Sequence, residues 1–132
     1  MVMAADAPIF GIGIDVVETV RLGRSLEKFG DRFKDRIFTE LEQRYCDSMK
    51  FPARHYAARF AAKEAISKAF GTGIGKRVGW KDMEILRHDS GEPYAVLHGG
   101  AREFAEANGV SKVLVSLTHA DDYAAANAVA LT

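Results

Sequence analysis

Hydrophobic and polar positions alternate along Ile9–Val17, which predicts a β-strand. One face of this strand carries the branched residues Ile12, Ile14 and Val16, and the other carries Gly11, Gly13, Asp15 and Val17. Two glycines remove side chains from the Asp15 face, so another element can pack close to the backbone there.

A different pattern, with the helical period, runs from about Ala53 to Phe70. Pro52 precedes it, and Gly71 stands where a C-cap glycine is expected. Successive residues of a helix are 100° apart, so four residues lie within about 60° of one line along its surface: Ala57, Ala61, Glu64 and Lys68. The far side carries the apolar residues expected in the core, namely Ala62, Ile66, Ala69 and Phe70.

Glu64 and Lys68 on that helix have two interpretations. Spaced i, i+4, they form the kind of exposed ion pair that supports a helix by a few tenths of a kcal/mol, and this is the commoner meaning of such spacing. Alternatively, they are a functional pair, with the small side chains of Ala57 and Ala61 leaving room for a ligand. Motifs elsewhere in the chain are needed to distinguish these two interpretations.

The remaining patterns predict helices at Val20–Phe29, Thr39–Lys50 and Ala101–Ala107, and strands at Trp80–Arg87, Tyr94–His98 and Lys112–Thr118. Thr39 and Glu42 make a capping box, whereas the alternating charges around Arg32–Arg36 predict a solvated connection. The alanines of Tyr123–Leu131 favour a helix, but a polar break after the preceding strand favours a returning strand, which we predict. Together these elements predict an α+β fold: a small, largely antiparallel sheet packed against a long central helix and shorter helices.

Composition and charge narrow the class of protein. At 132 residues the chain is expected to form a single domain, residues 1–132. Eighteen basic and eighteen acidic residues cancel, so no overall field attracts nucleic acid or an anionic membrane. No apolar run approaches the roughly 20 residues that span a bilayer, and the N-terminus lacks the basic region of a secretory signal. With Cys46 as its single cysteine, the chain is expected in the reducing cytoplasm.

Three polar features stand at the edges of apolar elements: Asp15, the pair Glu64 and Lys68, and His119. Taken singly, Asp15 suits a strand end and His119 suits a turn. Taken together, two carboxylates plus water and phosphate oxygens are how proteins usually hold magnesium. The lysine can neutralise phosphate charge, and the histidine can donate a hydrogen bond or carry a proton. This combination suggests metal-assisted chemistry on a phosphate or pyrophosphate.

Two basic segments are less specific. Arg21, Arg24 and Lys28 form a stripe at i, i+3, i+7, which is more often a solvated helix face than a docking surface. Residues 71–79 contain four glycines with Lys76 and Arg77. This loop suits a phosphate cradle or a flexible connection, but the missing Ser or Thr argues against a P-loop.

Three blocks in order carry a family resemblance: GIGIDVVE at Gly11–Glu18, RFAAKEAISKAFGTGIG at Arg59–Gly75 and VSLTHADDYAAA at Val115–Ala126. They resemble the signatures of the holo-(acyl-carrier-protein) synthases, small bacterial 4′-phosphopantetheinyl transferases, over nearly the whole chain. The resemblance implies the 4′-phosphopantetheinyl transferase fold. It also implies transfer of the 4′-phosphopantetheine arm of coenzyme A to a serine of apo acyl carrier protein, in fatty acid biosynthesis. The second product is adenosine 3′,5′-bisphosphate.

The resemblance also implies roles for individual residues. Asp15 and Glu64 match the magnesium ligands, and Lys68 matches the lysine that stabilises charge at the reacting pyrophosphate. The implied coenzyme A contacts are Arg59, Lys68, Gly71 and His119. The implied carrier-protein docking surface is Arg21, Arg24 and Lys28. The general base stays open among Glu64, His119 and a metal-bound water, and the family implies a homotrimer with active sites between subunits.

Two other classes of protein are alternatives to the enzyme. A binding module for coenzyme A without transfer has no need of the carboxylate pair Asp15 and Glu64. A purely structural trimer leaves the charged face of the central helix unexplained. The enzyme is therefore the leading hypothesis.

Overall fold

The computed structural model describes residues 8–132 and has the α+β architecture that the sequence predicts. Residues 1–7, on which part of the expectation about a secretory signal rests, lie outside the described residues. The strands are β1 Ile9–Glu18, β2 Met83–Arg87, β3 Pro93–Leu97, β4 Lys112–His119 and β5 Tyr123–Leu131. The helices are α1 Thr19–Phe29, α2 Asp31–Ile37, α3 Glu40–Asp47, α4 Pro52–Phe70 and α5 Gly99–Ala107.

The strands form two antiparallel sheets, one of three strands in the order β1-β5-β4 and one hairpin of β2 and β3. Strand β5 confirms the predicted returning strand at Tyr123–Leu131. Its alternate alanines, Ala124, Ala126, Ala128 and Ala130, are buried under α4. Small side chains at these positions let the helix lie close to the sheet, which is why an alanine-rich segment is a strand here despite its helical propensity.

The glycine face of β1 packs directly on α4, as the sequence predicts. A Cβ atom added at Gly13 would lie 1.9 Å from the carbonyl oxygen of Ala65, and one at Gly11 would lie 2.0 Å from that of Ala69. Only glycine therefore permits this approach of strand to helix. The far side of α4 is also as predicted, since its apolar residues Ala62, Ile66, Ala69 and Phe70 are all buried.

The prediction that Ala57 and Ala61 leave room for a ligand is wrong. Both are completely buried: Ala57 lies in a cluster with Leu22 and Ala124, and Ala61 in the main core with Ala126. The small side chains make room for β5 rather than for a ligand. The opening beside Glu64 and Lys68 lies elsewhere, along the edge of β1.

Two local predictions need correction. The charged side chains of Arg32–Arg36 are mostly exposed, as predicted, but this connection is helix α2, which buries Ile37. The residues at its ends (Asp31, then Lys34 and Arg36) complement the helix dipole. Trp80–Asp82 is a 3₁₀ turn rather than the start of a strand, and the Asp82 carboxylate accepts a hydrogen bond from the Gly79 amide. The other predicted elements are present, with ends that differ by no more than three residues.

A buried ion pair joins α3, α4 and the hairpin. The ammonium of Lys63 lies 2.8 Å from the Glu42 carboxylate and also donates to the carbonyl oxygens of Trp80 and Met83. Glu42 completes the predicted capping box with Thr39 and accepts from the amide of Ile85. Burial lowers the pKa of Lys63, and the Glu42 carboxylate opposes this shift. Every polar atom of the pair is satisfied, so the pair fixes how three elements meet.

The sheet face turned away from α4 carries an exposed apolar row on β1. Ile12, Ile14 and Val16 of β1 are exposed by 70%, 66% and 61%, and Leu114 of β4 lies in the same row as Ile12, across Val129. Large exposed apolar side chains in a row of this kind are typical of an interaction surface. No helix within residues 8–132 is long and apolar enough to cross a membrane.

Candidate active site

The structure brings Asp15 and Lys68 into contact. The ammonium of Lys68 lies 3.1 Å from the Asp15 carboxylate and 3.1 Å from the carbonyl oxygen of Ile14. Gly71 ends α4 as predicted, with a left-handed φ of 79° that costs glycine little. This end places Lys68 in the last turn of the helix, beside the strand that carries Asp15.

Glu64 lies in the same pocket as Asp15. The pocket has a volume of about 560 Å³ and lies between β1, α1 and α4, with Phe60 and Tyr123 in its wall. Burial raises the pKa of Glu64, the nearby Asp15 carboxylate raises it further, and Lys68 partly opposes the shift. The two carboxylates therefore repel each other in a partly desolvated site.

This donor set fits a magnesium ion. Within residues 8–132 no group of three or more His, Cys, Asp or Glu side chains is placed to hold a metal, so the site offers two carboxylates. Magnesium in proteins is commonly held by one or two carboxylates, with water and substrate phosphate at its other positions. A divalent cation between Asp15 and Glu64 would also offset the repulsion that raises the pKa of Glu64.

The basic stripe of α1 begins at the rim of this pocket, here called the carboxylate pocket. Arg21 lines the pocket together with Asp15 and Glu64. Arg24 and Lys28 are exposed further along the same helix. An acidic partner that docks on this stripe would therefore be guided toward the carboxylates.

His119 lies in a second pocket, here called the basic pocket, which has a volume of about 200 Å³. The ring centroids of His119 and His55 are 4.9 Å apart. Burial lowers the pKa of His55, and His119 and Arg59 lower it further. The basic residues of the wall are His55, Arg59, Arg87 and His119, and none of the described residues in the wall carries a carboxylate. This composition favours an anion.

Arg59 is the most constrained of these groups. It is only 5% exposed, and its guanidinium carbon lies 4.3 Å from the ring centroid of Tyr45. Its buried Nε has no hydrogen-bond partner among the described residues. Sequence reasoning missed Tyr45, His55 and Arg87, because they come from α3, α4 and β2 and share no spacing. No pattern in the sequence links these three residues.

The carboxylate pocket and the basic pocket are separate in one chain, and no residue lines both. Five residues separate Arg59 from Glu64, which places them about 140° apart around α4. The structure thus gathers Asp15, Glu64 and Lys68, as the sequence predicts, with Arg21 beside them. It does not bring His119 or Arg59 to that cluster within a single chain.

A model of the 4′-phosphopantetheinyl transferase superfamily matches residues 11–128. The chain belongs to this superfamily. It is 45% identical over 121 residues to the holo-(acyl-carrier-protein) synthase of Koribacter versatilis, covering 92% of this chain and 97% of that protein.

Solved structures of superfamily members are similar over almost the whole chain. The holo-(acyl-carrier-protein) synthase of Neisseria meningitidis has a TM-score of 0.86 and 36% identity, covering 92% of this chain and 98% of that one. The enzyme of Bacillus anthracis, solved in complex with coenzyme A (3′,5′-ADP), has a TM-score of 0.80 and 37% identity, covering 96% and 99%. The fold implied by the sequence blocks is confirmed.

Proposed function

We propose that this chain is a holo-(acyl-carrier-protein) synthase, which transfers the 4′-phosphopantetheine arm of coenzyme A to a serine of apo acyl carrier protein. The observation that carries the proposal is that Asp15, Glu64 and Arg21 line one pocket, while the Lys68 ammonium contacts the Asp15 carboxylate. The products are holo acyl carrier protein and adenosine 3′,5′-bisphosphate. The setting is fatty acid biosynthesis in the cytoplasm.

Asp15 and Glu64 hold magnesium in this proposal, and Lys68 contacts the pyrophosphate of coenzyme A. When bound, the metal supplies positive charge that offsets the charge developing on the pyrophosphate oxygens. Lys68 stabilises the same charge directly, and its side chain is about half exposed beside Asp15, so a ligand can reach it. Transfer of this kind depends on positioning and electrostatics more than on covalent help from the enzyme.

Attack by the carrier serine requires a base. Glu64 lies in the carboxylate pocket, and its raised pKa favours taking up a proton. His119 and a metal-bound water are the other candidates.

The basic pocket holds the other end of coenzyme A. Lys68 and the carboxylates take the pyrophosphate, so the phosphate left for Arg59 and His119 is the 3′-phosphate monoester. A buried N–H donor without a partner is costly, and an incoming phosphate would supply a partner for the Nε of Arg59. Gly71, whose Cβ position has no heavy atom of residues 8–132 within 4 Å, lets the ligand approach the backbone at the end of α4.

One chain cannot present both pockets to one coenzyme A along a single wall, because α4 separates them. A homotrimer with active sites between subunits removes this difficulty, since the carboxylate pocket of one copy faces the basic pocket of the next. The exposed apolar face with Ile12, Ile14 and Val16 offers the surface for such contacts. Head-to-tail interfaces between identical chains form a ring when the rotation from one chain to the next closes.

Arg21, Arg24 and Lys28 dock the acidic carrier protein. Reversing Arg21 and Arg24 to Glu is expected to raise the KM for the carrier at least about 10-fold and leave the Kd for coenzyme A within about twofold. Affinity of the unaltered protein for the carrier should fall as salt rises. Equal losses for both substrates would contradict this assignment.

Incubating apo acyl carrier protein with the enzyme, coenzyme A and magnesium tests the proposed function. The carrier mass should rise by one phosphopantetheine arm, and the rise should disappear with EDTA and with the Glu64→Gln variant. Saturable coenzyme A binding without any mass shift would favour a binding module instead. Neither binding nor transfer would favour a structural protein.

A further inference from the structure

We propose that Tyr45 is a positioning residue that holds Arg59 and Arg87 as a two-guanidinium clamp in the basic pocket. Tyr45 lies on α3, Arg59 on α4 and Arg87 at the end of β2. No periodic pattern links the three residues, and Tyr45 is where they meet. The proposal rests on the proposed function, because the anion that the clamp receives is the 3′-phosphate of coenzyme A.

The first half of the clamp is Arg59 against the Tyr45 ring. The guanidinium carbon of Arg59 lies 4.3 Å from the ring centroid, close enough for a cation–π contact. Arg59 forms no ion pair within 4 Å with a carboxylate of the described residues. The ring therefore sets the orientation of a buried cation whose Nε is unpaired.

The second half is Arg87 at the edge of the same ring. A guanidinium nitrogen of Arg87 donates a hydrogen bond to the Tyr45 hydroxyl, and its carbon lies 5.5 Å from the ring centroid. Gly91 closes the other side: a Cβ atom there would lie 3.3 Å from the Arg87 guanidinium, and its φ of 96° suits glycine. One tyrosine thus contacts both guanidiniums, through its ring face and its hydroxyl.

Two guanidiniums held in place match a phosphate monoester better than two mobile ones. Arginine recognises phosphate by paired N–H donors, and fixing those donors in advance removes part of the entropy cost of binding. The remaining groups in the pocket, His55 and His119, are hydrogen-bonding rings without negative charge. The structure thus provides a pocket for a dianion with its donors already oriented.

Tyr45→Phe and Tyr45→Leu separate the two contacts. Phenylalanine keeps the stacking on Arg59 and removes the hydrogen bond from Arg87, so the KM for coenzyme A is expected to rise about 3- to 10-fold. Leucine removes both contacts, and a rise of about 10- to 50-fold is expected. At saturating coenzyme A, kcat should stay within about twofold of the unaltered enzyme. Tyr94→Phe is the matched control, because Tyr94 stacks on His88 outside this pocket.

Calorimetric binding gives a readout independent of transfer. Adenosine 3′,5′-bisphosphate should lose affinity in both Tyr45 variants by the factors given for KM, whereas adenosine 5′-monophosphate, which lacks the 3′-phosphate, should lose less than about twofold. Equal losses for both nucleotides, or a fall in kcat and in the unfolding temperature at an unchanged KM, would overturn the clamp and leave Tyr45 a structural residue. If Tyr45→Leu does not fold, the ratio of the two nucleotide affinities in Tyr45→Phe decides.

These experiments distinguish failure of the clamp from failure of the proposed function. If the unaltered protein neither transfers the arm nor binds the bisphosphate, the proposed function fails, and the clamp fails with it. If the unaltered protein is active and the Tyr45 variants match it, only the clamp fails.

Discussion

The ammonium of Lys68 lies 3.1 Å from the carboxylate of Asp15, joining the last turn of α4 to the strand at the edge of the sheet. Fifty-three positions separate the two residues in sequence, so the contact exists only because β1 packs along the helix. Lys68 also donates to the backbone of Ile14. It therefore stands where it can pair with an anion arriving beside Asp15.

Lys68→Met is expected to lower kcat for transfer about 10²- to 10³-fold, because it removes a preorganised charge beside the reacting pyrophosphate. The KM for the carrier protein should change little. Single-turnover kinetics on apo carrier protein measure the effect. Lys81→Met, at an exposed lysine of the 3₁₀ turn, is the matched control and should leave kcat unchanged. A rate for Lys68→Met within threefold of the control would refute the role.

Glu64→Gln should stabilise the metal-free protein at neutral pH while abolishing transfer. The pKa of Glu64 is raised in the folded state by burial and by Asp15. Between the unfolded value, about 4.3, and the raised folded value, the folded state binds more protons, so Glu64 lowers stability as pH rises. Above the raised folded pKa, the ionised Glu64 carboxylate destabilises the folded state by the full amount. The amide of the Glu64→Gln variant carries no charge, so the variant avoids this loss of stability.

Thermal unfolding in EDTA at pH 4 and pH 7 measures this effect. At pH 4 the variant and the unaltered protein should have the same unfolding temperature. At pH 7 the variant should have the higher unfolding temperature. Magnesium should then raise the unfolding temperature of the unaltered protein more than that of the variant. A variant less stable at pH 7 in EDTA would contradict the assignment.

Gly13→Ala is expected to destabilise the fold by about 2–3 kcal/mol or more, because the new methyl group meets the backbone of Ala65. The same change displaces the strand that carries Asp15, so transfer should fall as well. Urea unfolding measures the stability. Gly75→Ala is the matched control, since no heavy atom of the described part of the chain lies within 4 Å of its Cβ position, and its stability should stay within about 0.5 kcal/mol of the unaltered protein. Equal stabilities would mean that β1 does not pack against α4 in this way.

The sequence predicted Asp15, Glu64 and Lys68 as candidate residues because the signals for them are local, whereas only the structure shows that the three lie together. Alternation marks the face of β1 that carries Asp15, the glycines of that face mark a close approach, and the helical period places Glu64 and Lys68 on one side of α4. The sequence blocks then tie these segments to one family.

The basic pocket and the buried ion pair depend instead on contacts between distant segments. Tyr45 and Arg87 meet only because α3 packs beside the hairpin. Lys63 was not singled out from the sequence, and its buried contact with Glu42 joins segments 21 positions apart. Ala57 and Ala61 show the converse error. Their small size indicates close packing, but periodicity cannot tell whether the neighbour is a ligand or a strand.

Lys63→Met is expected to cost about 3–5 kcal/mol, because it leaves the buried Glu42 carboxylate without its cation. Glu42→Gln should cost less, since the amide oxygen can still accept from a backbone amide. In the double variant no charge is left unpaired, and a coupling energy of about 2 kcal/mol is expected. Urea unfolding of the unaltered protein, the two single variants and the double variant gives the free energies of this double-mutant cycle. Strictly additive costs would mean that the two residues act independently, against the 2.8 Å contact.

Two inactive variants should restore activity when mixed in one oligomer, if the active site lies between subunits. Glu64→Gln damages only the carboxylate pocket, and His119→Ala damages only the basic pocket. In randomly mixed rings made by co-expression, about a quarter of interfaces pair two intact pockets, so about a quarter of normal activity is expected. If each active site lay within one chain, every site would carry a defect. The activity of the mixed rings would then not exceed the mean activity of the two single variants. Rings of each single variant serve as the baseline, and mass spectrometry of differently tagged subunits verifies the mixing.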